Sequence, residues 1–200
     1  MADRNAARVT RHLALLGSIN VGGNRIAMDD LCAALTQRGL AHVASVAASG
    51  NILFDYLGDV AQTPDTPDTT IPDTLAPARV IAACLSEDFG IESAVVVMNA
   101  AQCEAAIADN PFVADGADNQ VHIHFLEDHP PLHAFDTLVD DHRGRGDERI
   151  ALGHRALYID YVNGVGRSKL TSAFIAKRMG CRGTARNIRS LRRIIAAMGG

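Results

Sequence analysis

Apolar positions along this chain recur with two periods, and the alternation between them sets an order of elements. His12–Leu16 is a short apolar run that predicts a strand, and Ser18–Gly23 reads as a loop. Met28, Leu31, Cys32 and Leu35 share one helical stripe, which predicts a helix from Met28 to about Arg38 that stops at Gly39. Val43–Ala47 predicts a weak strand, Ser49-Gly50-Asn51 a tight turn, and Ile52–Tyr56 an alternating strand. Residues 58–78 hold four of the seven prolines among Asp and Thr, so a flexible insert is expected, with no helix or strand over 60–76. Arg79–Phe89 then predicts a helix ended by Gly90, and Ser93–Met98 a strand. The order so far is β-α-β-β-α-β.

The same order returns further along. After a linking helix near Ala100–Ala108 come a strand (Val121–Leu126), a helix (Leu132–Asp140) and a strand (Arg149–Leu152) that turns at Gly153. A strand (Arg155–Val162), a helix (Ser168–Met179) and a short strand (Thr184–Arg186) complete the second unit. Ile188–Met198 adds an amphipathic helix. The pattern predicts an α+β protein of two tandem ferredoxin-like plaits with an extra C-terminal helix. The expected units are 10–99 and 120–200, with 100–119 linking them. In such a plait the strands run 4-1-3-2, all neighbours antiparallel, and right-handed crossovers decide which loops share an edge.

Charge changes this picture by singling out one end of the chain. Residues 1–141 hold 6 basic and 20 acidic side chains, and residues 142–200 hold 13 and 3, for a net charge of −4. From 161 to 200 there are nine Lys and Arg and no Asp or Glu. A strongly basic stretch in an acidic chain points to something negatively charged. Inside it lies Gly164-Val165-Gly166-Arg167-Ser168-Lys169, a glycine-rich turn expected to feed Arg, Ser and Lys into a helix start. The plait topology brings this loop beside Arg143-Gly144-Arg145-Gly146 and beside Arg186-Asn187. The candidate ligand-binding set is therefore Gly164, Gly166, Arg167, Ser168, Lys169, Arg186, Asn187, Arg143 and Arg145, with Arg167, Lys169 and Arg186 converging on one anion. A solvated basic face balancing the acidic first unit is the competing reading. The full G-x-x-x-x-G-K-[ST] phosphate loop is absent, which argues against Walker-type chemistry.

A second candidate edge lies in the first unit. There the loop holding Asn20, Gly22 and Gly23 is expected beside the turn Ser49, Gly50 and Asn51, two glycine-rich loops whose N–H groups suit an oxyanion. His122 and His124 alternate on one strand face, and Tyr158 is expected on the matching face of its neighbour. A metal there would need His154 or Asp160 as a further ligand, and a polar sheet face is the favoured reading, so no metal site is assigned. Phe54 and Tyr56 resemble RNA-stacking aromatics but share the face of Ile52, which favours core. The four cysteines form no C-x-x-C pair and read as reduced, buried thiols. No Ser-His-Asp or Cys-His arrangement can be inferred from spacing, and no cofactor is implied. With no membrane span or leader pattern, a cytoplasmic location is expected. Three functional readings stay open: a binding protein for a nucleotide or nucleic-acid backbone, an enzyme with its substrate site between the units, and a structural or oligomerising module.

Asn20-Val21-Gly22-Gly23, Ser49-Gly50-Asn51, Asn110-Pro111-Phe112, Gly164–Thr171 and Thr184-Ala185-Arg186-Asn187 together resemble a bacterial family catalogued as domain of unknown function 1697. The resemblance runs from about residue 12 to 198 and implies two ferredoxin-like halves. It implies no activity. This chain reads Leu16-Gly17-Ser18-Ile19-Asn20 where the family pattern has Leu-Arg-Gly-Ile-Asn. Ala48 stands at a family Gln and Ile188 at a common Trp, so the first-unit edge departs more from the pattern than the second.

Overall fold

The protein is described by a computed structural model over residues 10–20, 25–47, 50–56 and 77–199. The insert at 60–76 and the candidate residues Gly22, Gly23 and Ser49 lie outside the described residues. The first half contains β1 (Thr10–Leu16), α1 (Met28–Gln37), β2 (Ala41–Ser45), β3 (Asn51–Tyr56), α2 (Pro77–Phe89) and β4 (Val95–Asn99). Helix α3 (Ala100–Ala108) follows directly. The second half contains β5 (Val121–Leu126), α4 (Ala134–His142), β6 (Arg149–Gly153), β7 (Ala156–Asp160), α5 (Ser172–Met179) and β8 (Gly183–Asn187), and α6 (Ile188–Met198) closes the chain. The fold is α+β, with two four-stranded antiparallel sheets ordered β2-β3-β1-β4 and β6-β7-β5-β8. Among the described residues no helix is long and apolar enough to cross a membrane.

Several element boundaries differ from the sequence expectation by one to four residues, and three of them have a clear local reason. Strand β2 lies two residues earlier than Val43–Ala47, because a bulge between Ala41 and Ala44 shifts its pairing with β3. Helix α4 starts at Ala134 rather than Leu132, since Pro130 and Pro131 precede it and Leu132 is fully exposed. Helix α5 starts at Ser172 rather than Ser168: Thr171 caps it by accepting from Phe174 N at 3.2 Å.

Both faces of each sheet are covered, which is why β1 reads as an unbroken apolar run instead of alternating. One face of the first sheet (Ala14, Leu16, Ile52, Phe54) packs under α1 and α2 through Leu31, Leu35, Ile81 and Leu85. One face of the second (Leu126, Leu157, Ile159) packs under α4 and α5. The remaining faces belong to one shared core. Leu13, Leu15 and Leu53 meet Ile123, Phe125 and Tyr158 there, with Cys103 of α3 and Leu191 and Ile194 of α6. Edge strands β4 and β8 lie against each other. Val95 N donates to Glu127 Oε1 at 2.9 Å, and Thr184 Oγ1 to Leu16 O at 3.3 Å, across the two halves. Phe54 is fully buried, stacked on His12, so it has no face to offer a base.

Candidate functional site

The basic edge of the second half is built from two loops that do meet. Asn163 Nδ2 donates to Asp147 Oδ2 at 2.9 Å, tying the loop after β7 to the loop before β6. One turn deeper, Glu148 Oε2 lies 2.8 Å from His142 Nε2. Burial pushes the Glu148 carboxyl up, but bonds from Ser168 and His142 outweigh it and hold the pKa below its ordinary value. Around this clamp Arg143, Arg145, Arg167 and Lys169 are exposed. Arg143 pairs with Asp140 at 2.7 Å, whereas Arg145 lies 5.3 Å over the Phe174 ring. Arg145, Arg167 and Lys169 make no ion pair among the described residues.

The glycine-rich loop spends some of its amides on its own turn. Val165–Arg167 forms a single 3₁₀ turn that uses part of its backbone internally: Gly164 N donates to Tyr161 O, Arg167 N to Gly164 O and Ser168 N to Val165 O. Ser168 Oγ accepts from Leu170 N at 3.0 Å. The chain leaves this turn extended before α5 begins, so the loop does not run into a helix N-terminus. Gly164 enters the turn at φ +85°, and Gly166, Arg167 and Lys169 are exposed on it.

Arg186 does not join Arg167 and Lys169. It lies opposite Ile123 in the sheet, on the face turned toward the first half. Its five N–H donors have five acceptors. Nε donates to Asn51 Oδ1 at 2.6 Å, Nη1 to Thr184 Oγ1 (2.7 Å) and Ala185 O (2.8 Å), and Nη2 to Leu16 O (3.0 Å) and Gly50 O (2.8 Å). None of these is a carboxylate, and burial pulls the guanidinium down to a pKa of about 10. Asn187 is likewise committed: its Oδ1 accepts from Ser190 N at 2.8 Å and caps α6. The three-cation site of the sequence reading thus loses Arg186. Spatial proximity along an edge does not fix the sheet face from which a side chain projects.

Of the described residues of the first-half edge, Gly50 and Asn51 are joined to Arg186. Asn51 is buried, and its Nδ2 donates to Val46 O at 3.1 Å while Oδ1 takes the arginine. Gly50 sits at φ +91°, and a Cβ there would lie 3.0 Å from Leu16 O and 3.1 Å from Arg186 Nη2, so the position excludes a side chain twice over. Asn20 closes its own loop, accepting from Ile26 N at 2.6 Å and donating to Ile26 O at 3.2 Å. The expectation that Tyr158 shares the face of His122 and His124 does not hold. Register pairs His124 with Leu157 and Ile123 with Tyr158, so Tyr158 lies on the opposite face from the two histidines. Two features escaped the sequence reading. Asp147 and Glu148 place acid inside the basic edge. Arg189 is exposed in the first turn of α6, directly after β8 ends.

Comparison with known proteins gives a family and a fold. The chain matches the family described as protein of unknown function (DUF1697) over residues 9–158. No curated protein matches it. Among solved structures, a conserved bacterial protein from Streptococcus pneumoniae aligns at TM-score 0.68 and 18% identity, covering 96% of this chain and 100% of that one. At that identity the likeness is one of fold.

Proposed function

We propose that this chain, which belongs to the DUF1697 family of proteins of unknown function, binds a phosphate-bearing ligand at the basic edge of its second half. The ligand class is a nucleotide or a nucleic-acid backbone. The observation that carries the reading is that loops 143–147 and 163–169 are tied together, leaving Arg145, Arg167 and Lys169 exposed and outside any ion pair among the described residues. Arg145 and Arg167 provide planar forks suited to phosphate oxygens, and Lys169 a compact charge. On the same reading each half, 10–99 and 120–200, is a ferredoxin-like plait joined through 100–119, which the strand order in each sheet supports.

The test titrates fluorescent single-stranded oligonucleotides and, separately, nucleoside triphosphates into the full chain. Replacing Arg145, Arg167 and Lys169 together by Ala should weaken binding by at least tenfold, each lost charge-assisted bond contributing about 1.5–3 kcal/mol. Arg38→Ala, which removes a cation already paired with Asp88, should change it little. A nucleic acid should show a log–log salt slope of about 0.7–0.9 per phosphate neutralised, and a free nucleotide a shallower one. An unchanged affinity in the triple variant would leave the edge as a solvated basic face.

A further inference from the structure

A cavity of about 300 Å³ opens between the two halves, at the other end of β7 from the basic edge. One wall is β4 and α3, the other the β6–β7 turn, with β5 and β7 beneath. Its floor is apolar, with Met98 and Phe125 from the shared core. Its polar lining is concentrated in a few groups: Gln102 and Asp109 on α3, His154 and Arg155 on the turn, and Tyr158 on β7. Their hydrogen bonding is incomplete. Gln102 Oε1 is spent on Asn99 N at 2.9 Å, which leaves its amide N–H groups available. The Tyr158 hydroxyl has no hydrogen bond among the described residues, and its ring is held against the chain where Gly153 has no side chain: a Cβ there would lie 2.6 Å from the ring. Burial, and then the charge of Asp109, raise the Tyr158 pKa, so the hydroxyl stays a protonated donor near neutrality.

The two charges decide the ligand class. Asp109 and Arg155 line the same cavity from opposite walls but make no ion pair with each other. Arg155 gives one N–H to Glu127 O and keeps the rest of its fork. Asp109 ends α3, where the helix dipole is negative, so both favour a cation on that wall. An anion is favoured on the facing wall by Arg155. Between them lies apolar surface, and the volume is at the small end of ligand pockets. We propose that this cavity binds a small zwitterion with an apolar body, of the α-amino-acid class, its ammonium toward Asp109 and its carboxylate toward Arg155. His154, next to Arg155 on the turn, and the Tyr158 hydroxyl are the remaining polar groups for the carboxylate, and Gln102 lines the α3 wall. The site is independent of the basic edge and needs both halves of the chain to exist.

The test is an NMR titration of the full chain with L-phenylalanine, 3-phenylpropanoate and 2-phenylethylamine, which share an apolar body and differ in charge. Phenylalanine should bind about tenfold or more tighter than either single-charge probe, with shifts at Met98, Ala105 and Tyr158. Asp109→Asn should weaken phenylalanine and phenylethylamine but spare phenylpropanoate, and Arg155→Gln should do the reverse for the two singly charged probes. Ala105→Trp, which fills the mouth from the exposed face of α3, should abolish all three without lowering the melting temperature. Equal binding of the three probes overturns the zwitterion assignment. Binding that survives Ala105→Trp, or no binding of any probe to the wild-type chain, overturns the site.

Discussion

Arg186 is the residue on which the two halves turn. Its side chain crosses from β8 to acceptors at Leu16, Gly50 and Asn51, and no carboxylate balances it. Arg186→Ala should therefore cost about 2–4 kcal/mol, because buried acceptors lose their partner. Arg186→Lys should recover little, since an ammonium cannot reproduce the fork. Urea unfolding measures both, and phosphate-ligand affinity should not follow the stability loss. His124 is the second telling residue. It is almost fully buried, neither ring nitrogen has a partner, and burial lowers its pKa from 6.5 to about 4. Above pH 6.5 the ring is neutral in both states. Between pH 6.5 and 4 the unfolded chain takes up a proton that the native chain refuses, so stability falls, by about 3 kcal/mol at the low end. His12 and His122 are lowered by burial too and act in the same direction. His124→Leu should flatten this acid slope in urea unfolding at pH 7 and pH 5. An unchanged slope would mean that the ring is hydrated in the native state.

At the scale of elements, caps decide what the apolar stripes leave open. Helix α6 buries Ile188, Leu191, Ile194 and Met198 on one side, and Asn187 holds its first turn. Asn187→Ala should cost about 1 kcal/mol, and Asn187→Asp almost nothing, because a carboxylate also accepts from the amides and suits the dipole. Thermal melting distinguishes them. If Asn187→Ala instead abolished phosphate binding at constant stability, the residue would be a ligand contact and not a cap. Helix α5 shows how a cap misleads when read alone. Ser168 and Thr171 are both competent residues, and the glycines before Ser168 make it look like the start. The 3₁₀ turn and the buried Leu170 intervene, and Thr171 takes the role. The ion pairs of Arg38 with Glu87 and Asp88 join the end of α1 to α2, but they are partly exposed and add little.

On the scale of the whole molecule, the shared core makes each half dependent on the other. Separated, residues 10–99 would expose Leu13, Leu15 and Leu53, and residues 120–200 would expose Ile123, Phe125 and Leu191. Either half expressed alone should bind a hydrophobic dye and lack a cooperative melt, because an apolar sheet face of this size is not stable in water. A sharp two-state melt of either half would show that the units fold independently. The sequence by itself determined the order and type of the elements, since helical and strand periods are local and the two runs of β-α-β-β-α-β are legible in them. It also determined that charge gathers near the C-terminus, and the plait order it suggests puts loops 143–146 and 164–169 at one edge, as the observed pairing of β6 with β7 does. The tertiary structure alone decided what the polar residues at those edges do. Whether Arg186 meets a ligand or Asn51 depends on which sheet face it projects from and on how the second sheet docks against the first, and neither is encoded within a few residues of position 186. The same holds for the cavity. Asp109 and Arg155 are 46 positions apart, one at the end of the linking helix and the other in the second half, so only the tertiary arrangement of α3 and the β6–β7 turn puts them around one cavity.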